Sequence, residues 1–205
     1  MGGQAFREEG DTVTRRAGDS PMPSSGRPIV PVLAGAVLVA AVVAGLYAFG
    51  RSHTPDYTAA LFGRRGNDAN ELKAQLGSAL MGLAVVQLLL ALWMYGRRPP
   101  VSTGRRPVAV VHRIIGYVAF LLSLPIAYHC ITAYGVQLGD TRTALHSVTG
   151  CALYGAFVAK VLVVRSRRLP GWALPAAGGA LFLAIGVLWY SAALWFLNGY
   201  QVPGL

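Results

Sequence analysis

Five long apolar stretches, separated by polar segments, dominate the pattern of this chain. They lie at about residues 29–49, 74–95, 108–134, 143–164 and 173–197. A bilayer core about 30 Å thick is crossed by a helix of roughly 20 apolar residues. The pattern therefore predicts an all-α fold, a polytopic membrane bundle of five transmembrane helices with spans at those positions.

The polar segments predict what lies between and beyond these helices. Residues 1–28 combine Gly, Ser and Pro with charges of both signs, which predicts a disordered cytoplasmic tail. The segment 50–73 is long for a bare connection, so we expect a short surface helix at about residues 56–62. Pro99-Pro100 excludes a helix from the second loop, and residues 198–205 are predicted to form a short outer tail.

The composition agrees with a membrane protein, and topology explains the net charge. Of the 205 residues, 54% are hydrophobic and 13% are charged, which is unusual for a soluble domain. The net charge of +10 comes from Lys and Arg in tails, loops and helix ends, so nucleic-acid binding is not predicted. Eleven of these residues lie on the same side of the membrane as the N-terminus and five on the opposite side, which predicts a cytoplasmic N-terminus. The Arg-rich and Ala-rich usage favours a multi-pass protein of the bacterial plasma membrane.

Two histidines on the third and fourth spans give the strongest indication of chemistry. His129 and His146 are equally far from the turn VQLGD, so an antiparallel hairpin would place them at similar depth. A b-type haem needs two neutral imidazoles on opposite faces of its iron, supplied by helices that flank an apolar slot. We therefore predict that His129 and His146 bind the haem iron as axial ligands. The alternative is that both merely form hydrogen bonds between helices.

Residues close to His146 fit the same hypothesis. Arg142 lies four residues before His146 on the same helical face, where it could pair with a haem propionate. Gly150 follows His146 by one turn and removes bulk where a macrocycle would approach. The aromatic residues predicted to form the walls of the slot are Phe120, Tyr128 and Tyr154.

A second basic cluster is predicted near the cytoplasmic edge. His112 and Arg113 on the third span match Lys160 on the fourth in depth. They could form a quinone or propionate site, and the alternative is a basic cluster among lipid headgroups. No histidine faces His112 across the hairpin, so a second bis-histidine haem is not predicted. His53, in the first loop, is either solvated or an alternative ligand, to the haem or, with Asp56, to another metal.

Several other function classes are disfavoured. The predicted spans contain no Asp or Glu, which argues against a carboxylate proton relay or a cation-coupled transporter. The sequence shows no zinc-type cluster and no nucleophile–base pair, and its spans offer few polar residues to line a channel. Cys130 and Cys151 differ in predicted depth by about 9 Å, so they are predicted to be packing residues and not a disulfide.

A family resemblance rests on four stretches of the sequence. They are VHRIIGYVAFLLSLPIAYHC, RTALHSVTG, YGAFVAK and LPGWALPAAGG. Together they resemble an uncharacterised family of bacterial five-span integral membrane proteins, over about residues 51–197. The apolar helices with their histidines also resemble the cytochrome b561 and ferric-reductase group of transmembrane haem proteins. That resemblance implies haem ligation by His129 and His146, although the second ligand pair of that group is missing.

These observations lead to one functional hypothesis and one rival. The hypothesis is a b-type haem protein that passes electrons between a quinol and a Rieske-type or c-type protein at the outer face. Such a chain would be an oxidoreductase subunit of a respiratory chain, and the redox chemistry would belong to the cofactor. The rival is a cofactor-free accessory or assembly subunit that helix packing holds in a larger membrane complex.

Overall fold

Five helices make up the described part of the chain, as the sequence predicts. A computed structural model describes residues 29–95, 105–166 and 169–204. The helices are α1 (Ile29–Ser52), α2 (Gly66–Tyr95), α3 (Arg105–Tyr134), α4 (Thr141–Arg165) and α5 (Ala173–Leu197). All five are long and apolar enough to cross a membrane, and the described residues contain no β-strand, which confirms the all-α, five-span prediction. The predicted tail and the Pro99-Pro100 loop lie outside the described residues.

The surface of the helices is apolar where a soluble protein would be polar. Val37 on α1 is 67% exposed, Trp93 on α2 is 66% exposed and Leu183 on α5 is 67% exposed. Large exposed apolar surfaces are costly in water and favourable against lipid tails. This exposure, together with helix length, supports a multi-pass membrane protein.

The two helices of the predicted hairpin, α3 and α4, pack mainly against other helices and not against each other. α3 packs along α2, whereas α4 packs between α1 and α5. Large side chains bridge α3 and α4: the Tyr154 hydroxyl donates to Ser123 O at 3.2 Å, and the Phe120 and Tyr154 rings lie 6.5 Å apart. Because the backbones remain apart, a cavity lies between these two helices on the loop side of Tyr154.

The position of α4 depends on one very close helix contact. A Cβ added at Gly155 would collide with the side chain of Val43 on α1. Small residues allow helix backbones to approach closely where lipid offers no hydrophobic driving force between helices. The glycine therefore sets how deeply α4 packs against α1.

The first loop differs from its prediction. Residues 56–62 form no helix, so that prediction was wrong. The Asp56 carboxylate instead accepts hydrogen bonds from the backbone N–H and the hydroxyl of Thr58, at 2.9 and 2.6 Å. Such an Asx turn competes with helix formation. The chain then reverses through Phe62 and Gly63, both with positive φ, in a short bridge between Leu61 and Arg64.

The helix of this region lies later in the chain. α2 begins at Gly66 and not near residue 74, so its first two turns include Asp68 and Glu71. The bounds predicted for the second span therefore left out a polar, helical extension that also contains Lys73.

One helix is irregular near its end. α5 is α-helical from Ala173 to Leu188, π-helical over Trp189–Leu194 and α-helical again over Trp195–Leu197. The wide turn is tied to α2, because Trp189 Nε1 donates to Ser78 Oγ at 3.1 Å. Single π-turns are often found at functional sites, and this one adjoins the cavity.

Candidate functional site

A cavity of about 470 Å³ lies among α2, α3, α4 and α5. It extends from the third loop, at Gly135–Gln137, to Ser123 and Tyr154, about three helical turns deeper. Most of its wall is apolar, and its volume falls within the range of small-molecule and cofactor sites. The side chains with polar or sulfur atoms that line it are Asn70, Lys73, Ser123, Cys130, Tyr134, Gln137, Arg142, Thr143, His146, Ser147, Cys151, Tyr154, Trp189, Trp195 and Tyr200.

His146 lines this cavity with one ring nitrogen already bonded. Its Nδ1 lies 3.0 Å from Ser191 Oγ, and that hydroxyl donates its own hydrogen to Val187 O at 2.7 Å. With the hydroxyl donating to Val187 O, Ser191 Oγ accepts from His146, and on this hydrogen-bond pattern we assign the neutral tautomer with the proton on Nδ1. In that tautomer Nε2 carries the lone pair, so His146 can bind a metal or accept a proton through that atom.

His129 lies outside the cavity wall, although α3 places it near the same end of the bundle. It is 2% exposed, and its Nε2 lies 3.1 Å from the carbonyl oxygen of Ala59 in the first loop. A carbonyl only accepts, so Nε2 must carry the proton. The remaining nitrogen, Nδ1, is buried without a partner in the described chain. His129 therefore holds the first loop against α3.

The structure does not bring the predicted pair of axial ligands to one cavity. His146 meets the cavity with an available Nε2, whereas His129 faces the loop. The prediction of equal depth places both residues near the same end, but depth alone does not specify the direction in which each side chain points.

Arg142 also lines the cavity, on the same helical face as His146. Its Nη1 donates to the Ser191 carbonyl at 3.1 Å, and its guanidinium lies 3.7 Å from the centroid of the Trp195 ring. A cation over the face of an indole is attracted by the ring quadrupole. These two contacts hold the guanidinium at the cavity wall.

Asp140 fixes the start of the helix that carries both of these residues. Its backbone is extended, and its carboxylate accepts hydrogen bonds from the backbone N–H of Thr143 at 2.9 Å and from the hydroxyl at 2.8 Å. This is an N-cap, which satisfies a donor that the first helical turn leaves free. The same hydrogen bonds hold the pKa of the Asp140 carboxyl below its usual value.

Lys73 is a lining residue that the sequence prediction missed. Its ammonium lies 4.4 Å from the centroid of the Tyr134 ring, and the Tyr134 hydroxyl donates to Asn70 at 2.8 Å. The predicted span boundary placed Lys73 in a solvated loop, whereas the helical extension brings it to the cavity. Ser191 was also missed as a partner of His146; its hydroxyl within an apolar span was the available signal.

Of the other residues predicted to surround the haem slot, some line the cavity and others do not. Gly150 lines the cavity, and a Cβ there would meet Leu188 only at an ordinary 3.9 Å, so helix packing does not require the glycine. Tyr154 forms part of the wall, but Tyr128 is 71% exposed and faces away.

The two cysteines share the cavity wall as free thiols. Both Cys130 and Cys151 line it, and neither forms a disulfide. This agrees with the prediction that they are unpaired, although the wall of a cavity is a different environment from a close-packed core.

The predicted cytoplasmic cluster lies apart from the cavity. Gln87 Nε2 donates to the His112 carbonyl, and a Cβ at Gly116 would lie 3.3 Å from that amide. Gln87 Oε1 and His112 Nδ1 are both buried without partners within the described ranges. Lys160 is half-buried, while Arg113 is exposed.

His53 has a structural partner. Its Nε2 lies 3.2 Å from the carbonyl oxygen of Thr132, which also accepts from the backbone N–H of Asp56. Its ring stacks on Phe49 at 5.7 Å. Among the residues that the structure describes, no group of three or more His, Cys, Asp or Glu could hold a metal.

Comparison with known proteins gives a family and no activity. No curated protein and no solved structure matches the chain. A family model described as a family of unknown function, DUF6529, matches residues 29–204, which include all five helices and the cavity. The chain therefore belongs to the DUF6529 family.

Proposed function

We propose that this chain is a membrane protein that binds a b-type haem in the cavity beside α4, with His146 as the protein ligand to iron. The observation that carries the proposal is the assigned tautomer of His146, whose Nε2 lone pair is available in a largely apolar cavity. Haem-binding histidines need a neutral imidazole. A hydrogen bond from the other ring nitrogen, here to Ser191, fixes the ring of such a ligand.

The residues around the cavity fit this group in three respects. The volume is that of a cofactor site, the walls are mainly apolar, and Arg142 lies beside His146 as a cationic partner for a carboxylate. These residues would supply one axial ligand to the haem iron, His146. His129 could serve as the second only through Nδ1, and only if its side chain turned away from Ala59.

Haem supplies reversible one-electron chemistry when it is bound. The chain's contribution is binding and orientation. Ser191 orients the imidazole of His146, Arg142 offsets negative charge, and the apolar walls exclude water. We propose that electrons pass from a quinol to a Rieske-type or c-type protein at the predicted outer face, with the chain acting as a subunit of an oxidoreductase in a respiratory chain.

The opposite end of the bundle provides the proposed position for the quinol. Gln87 Oε1 is a buried acceptor and His112 Nδ1 is a buried ring nitrogen on the neighbouring helix, and neither has a partner among the described residues. A quinol hydroxyl could donate to Gln87 Oε1, and His112 Nδ1 could accept from or donate to a quinol oxygen according to its tautomer. Buried polar atoms without partners are energetically costly. The sequence predicts Lys160 at a similar depth, where it would add a positive charge.

A visible spectrum tests the haem proposal directly. Full-length protein is expressed with ample haem supply, purified, and measured in the oxidised and dithionite-reduced states, with a pyridine haemochrome assay for stoichiometry. We expect a b-type spectrum at about one haem per chain, and we expect His146→Ala to lose it. A colourless, folded parent protein would overturn the proposal.

The rival proposal is a cofactor-free accessory subunit of a larger membrane complex. One observation favours it: His129 acts as a structural link between α3 and the first loop. On this proposal the parent protein is colourless, and variants at both histidines still assemble with their partners.

A further inference from the structure

The cavity wall concentrates positive charge at one end. Lys73 on α2 and Arg142 on α4 both line the cavity, as does His146. No Asp or Glu from the described part of the chain lines it. Two cations and no carboxylate at an apolar cavity indicate an anionic ligand, because a charge facing low dielectric is costly unless it is paired.

Among the described residues, the Lys73 ammonium has no hydrogen-bond acceptor. It lies over the Tyr134 ring, and the described residues provide neither a hydrogen bond nor an ion pair to it. An ammonium has three donors, and the face of a ring replaces none of them fully. The half-buried side chain is therefore available to an anion in the cavity.

The Arg142 guanidinium is held in place, and among the described residues it retains donors without partners. One Nη1 hydrogen bond goes to the Ser191 carbonyl, and the plane packs on Trp195. A guanidinium has five N–H groups in a rigid fork, which suits a carboxylate. The two contacts orient the fork, so binding costs little side-chain entropy.

We propose that Lys73 and Arg142 form an anion clamp that selects a planar ligand with two carboxylates on one edge and an apolar body. This inference rests on the proposed function in one respect: a b-type haem is such a dicarboxylate. Arg142 would bind one carboxylate and Lys73 the other, with the apolar body between α3 and α4. The selection depends on charge and is independent of the iron.

Metal-free porphyrins test the clamp without involving iron ligation. Full-length protein in phosphatidylcholine nanodiscs is titrated with protoporphyrin IX and with its dimethyl ester, and binding is followed by fluorescence against empty nanodiscs. We expect the free acid to bind at least about tenfold more tightly than the ester. Equal affinity for the two probes would overturn the inference.

Variants identify the residues that give the preference for the free acid over the ester. Lys73→Met and Arg142→Met should each reduce the preference for the free acid, and the double variant should abolish it while ester affinity stays unchanged. Lys73→Arg keeps the charge and should keep the preference. Arg64→Met removes an exposed cation from the first loop and serves as the matched control. A double variant that is folded and still prefers the free acid would contradict the clamp.

Two further arms separate this inference from the haem proposal and from a lipid ligand. His146→Ala should lose haem yet keep its preference for metal-free protoporphyrin IX over the ester. If His146→Ala loses haem and the parent shows no preference, the clamp fails and the haem proposal stands. If the preference is present but the protein never binds haem, the haem proposal fails. Displacement of the porphyrin by an equal concentration of palmitate would overturn the dicarboxylate assignment in favour of a fatty acid.

Discussion

His129 and His146 are the same residue type at the same end of the bundle, yet their surroundings differ in kind. Neither ring nitrogen of His129 faces the cavity: Nε2 bonds to the carbonyl of Ala59, and Nδ1 is buried. His146 is bonded at Nδ1 to the hydroxyl of Ser191 and meets a cavity. The bonded nitrogen makes the difference: His129 uses Nε2 to contact the first loop, whereas His146 uses Nδ1 to contact α5 and so leaves Nε2 available. A histidine's chemistry thus depends on which nitrogen its neighbours leave available.

The largest expected effect separates the two histidines directly. His146→Ala should remove the haem completely, because it deletes the proposed iron ligand. His129→Ala should retain the haem and lower stability by about 2–5 kcal/mol, because it removes a buried ring and leaves the Ala59 carbonyl without that partner. Pyridine haemochrome assays and thermal unfolding in nanodiscs measure the two effects. Complete haem loss in both variants would show that the two histidines do not differ in this role, and it would favour ligation of the haem iron by both.

The next effect concerns the orientation of His146. Ser191→Ala removes the acceptor of the Nδ1 hydrogen bond, so haem should still bind, but about 10 to 100-fold more weakly. Haem transfer to an excess of apomyoglobin measures the loss. Ser52→Ala is the control, since that hydroxyl bonds only to Phe49 O at an exposed position. Unchanged haem retention in Ser191→Ala would mean that the hydroxyl does not orient the ligand.

A smaller effect is expected where α4 packs on α1. Gly155→Ala places a methyl group against Val43 and should destabilise the bundle by about 1–3 kcal/mol, shifting the helix that carries His146. Gly178→Ala on α5 meets nothing within 4 Å and should be neutral or slightly stabilising. Thermal unfolding compares the pair, and equal stability would show that α4 accommodates the methyl group.

The smallest effect is expected at the start of α4. Asp140→Ala removes the N-cap and should fray the first turn, with a slight loss of haem affinity through Arg142. Asp140→Asn keeps an acceptor and should behave like the parent. Because hydrogen bonding lowers the folded-state pKa of Asp140, its contribution is present at neutral pH. That contribution is lost only as the pH falls through the lowered value. A parent-like acid transition in Asp140→Ala would contradict this role.

The architecture was predictable because hydropathy and helix length act locally. The prediction of five spans is confirmed, and the fifth helix has the predicted bounds, residues 173–197. The start of α2 was missed because its first two turns are polar, and hydropathy does not register a helix that extends beyond the apolar stretch. Because of that error, Lys73 was not predicted to line the cavity.

The site was predictable only in part, because its partners are distant in sequence. Arg142 and His146 are one turn apart, so helical periodicity placed them together at the cavity. The partner of His129 is a backbone carbonyl in the first loop, which no pattern of side chains specifies. The contact between His146 and Ser191 depends on how α5 packs on α4.

The π-helical turn at Trp189–Leu194 has a consequence for how members of this family should be aligned. A π-turn closes over one residue more than an α-turn. Because the wide turn takes up one extra residue within about the same rotation, deleting a single residue there would restore a regular helix and leave the residues beyond it on nearly the same faces. Only residues within the turn would change direction, and Ser191, whose contacts with His146 and Arg142 depend on that turn, is one of them. A one-residue gap in this segment would therefore mark relatives that keep the five spans but lack the contacts of Ser191 with His146 and Arg142.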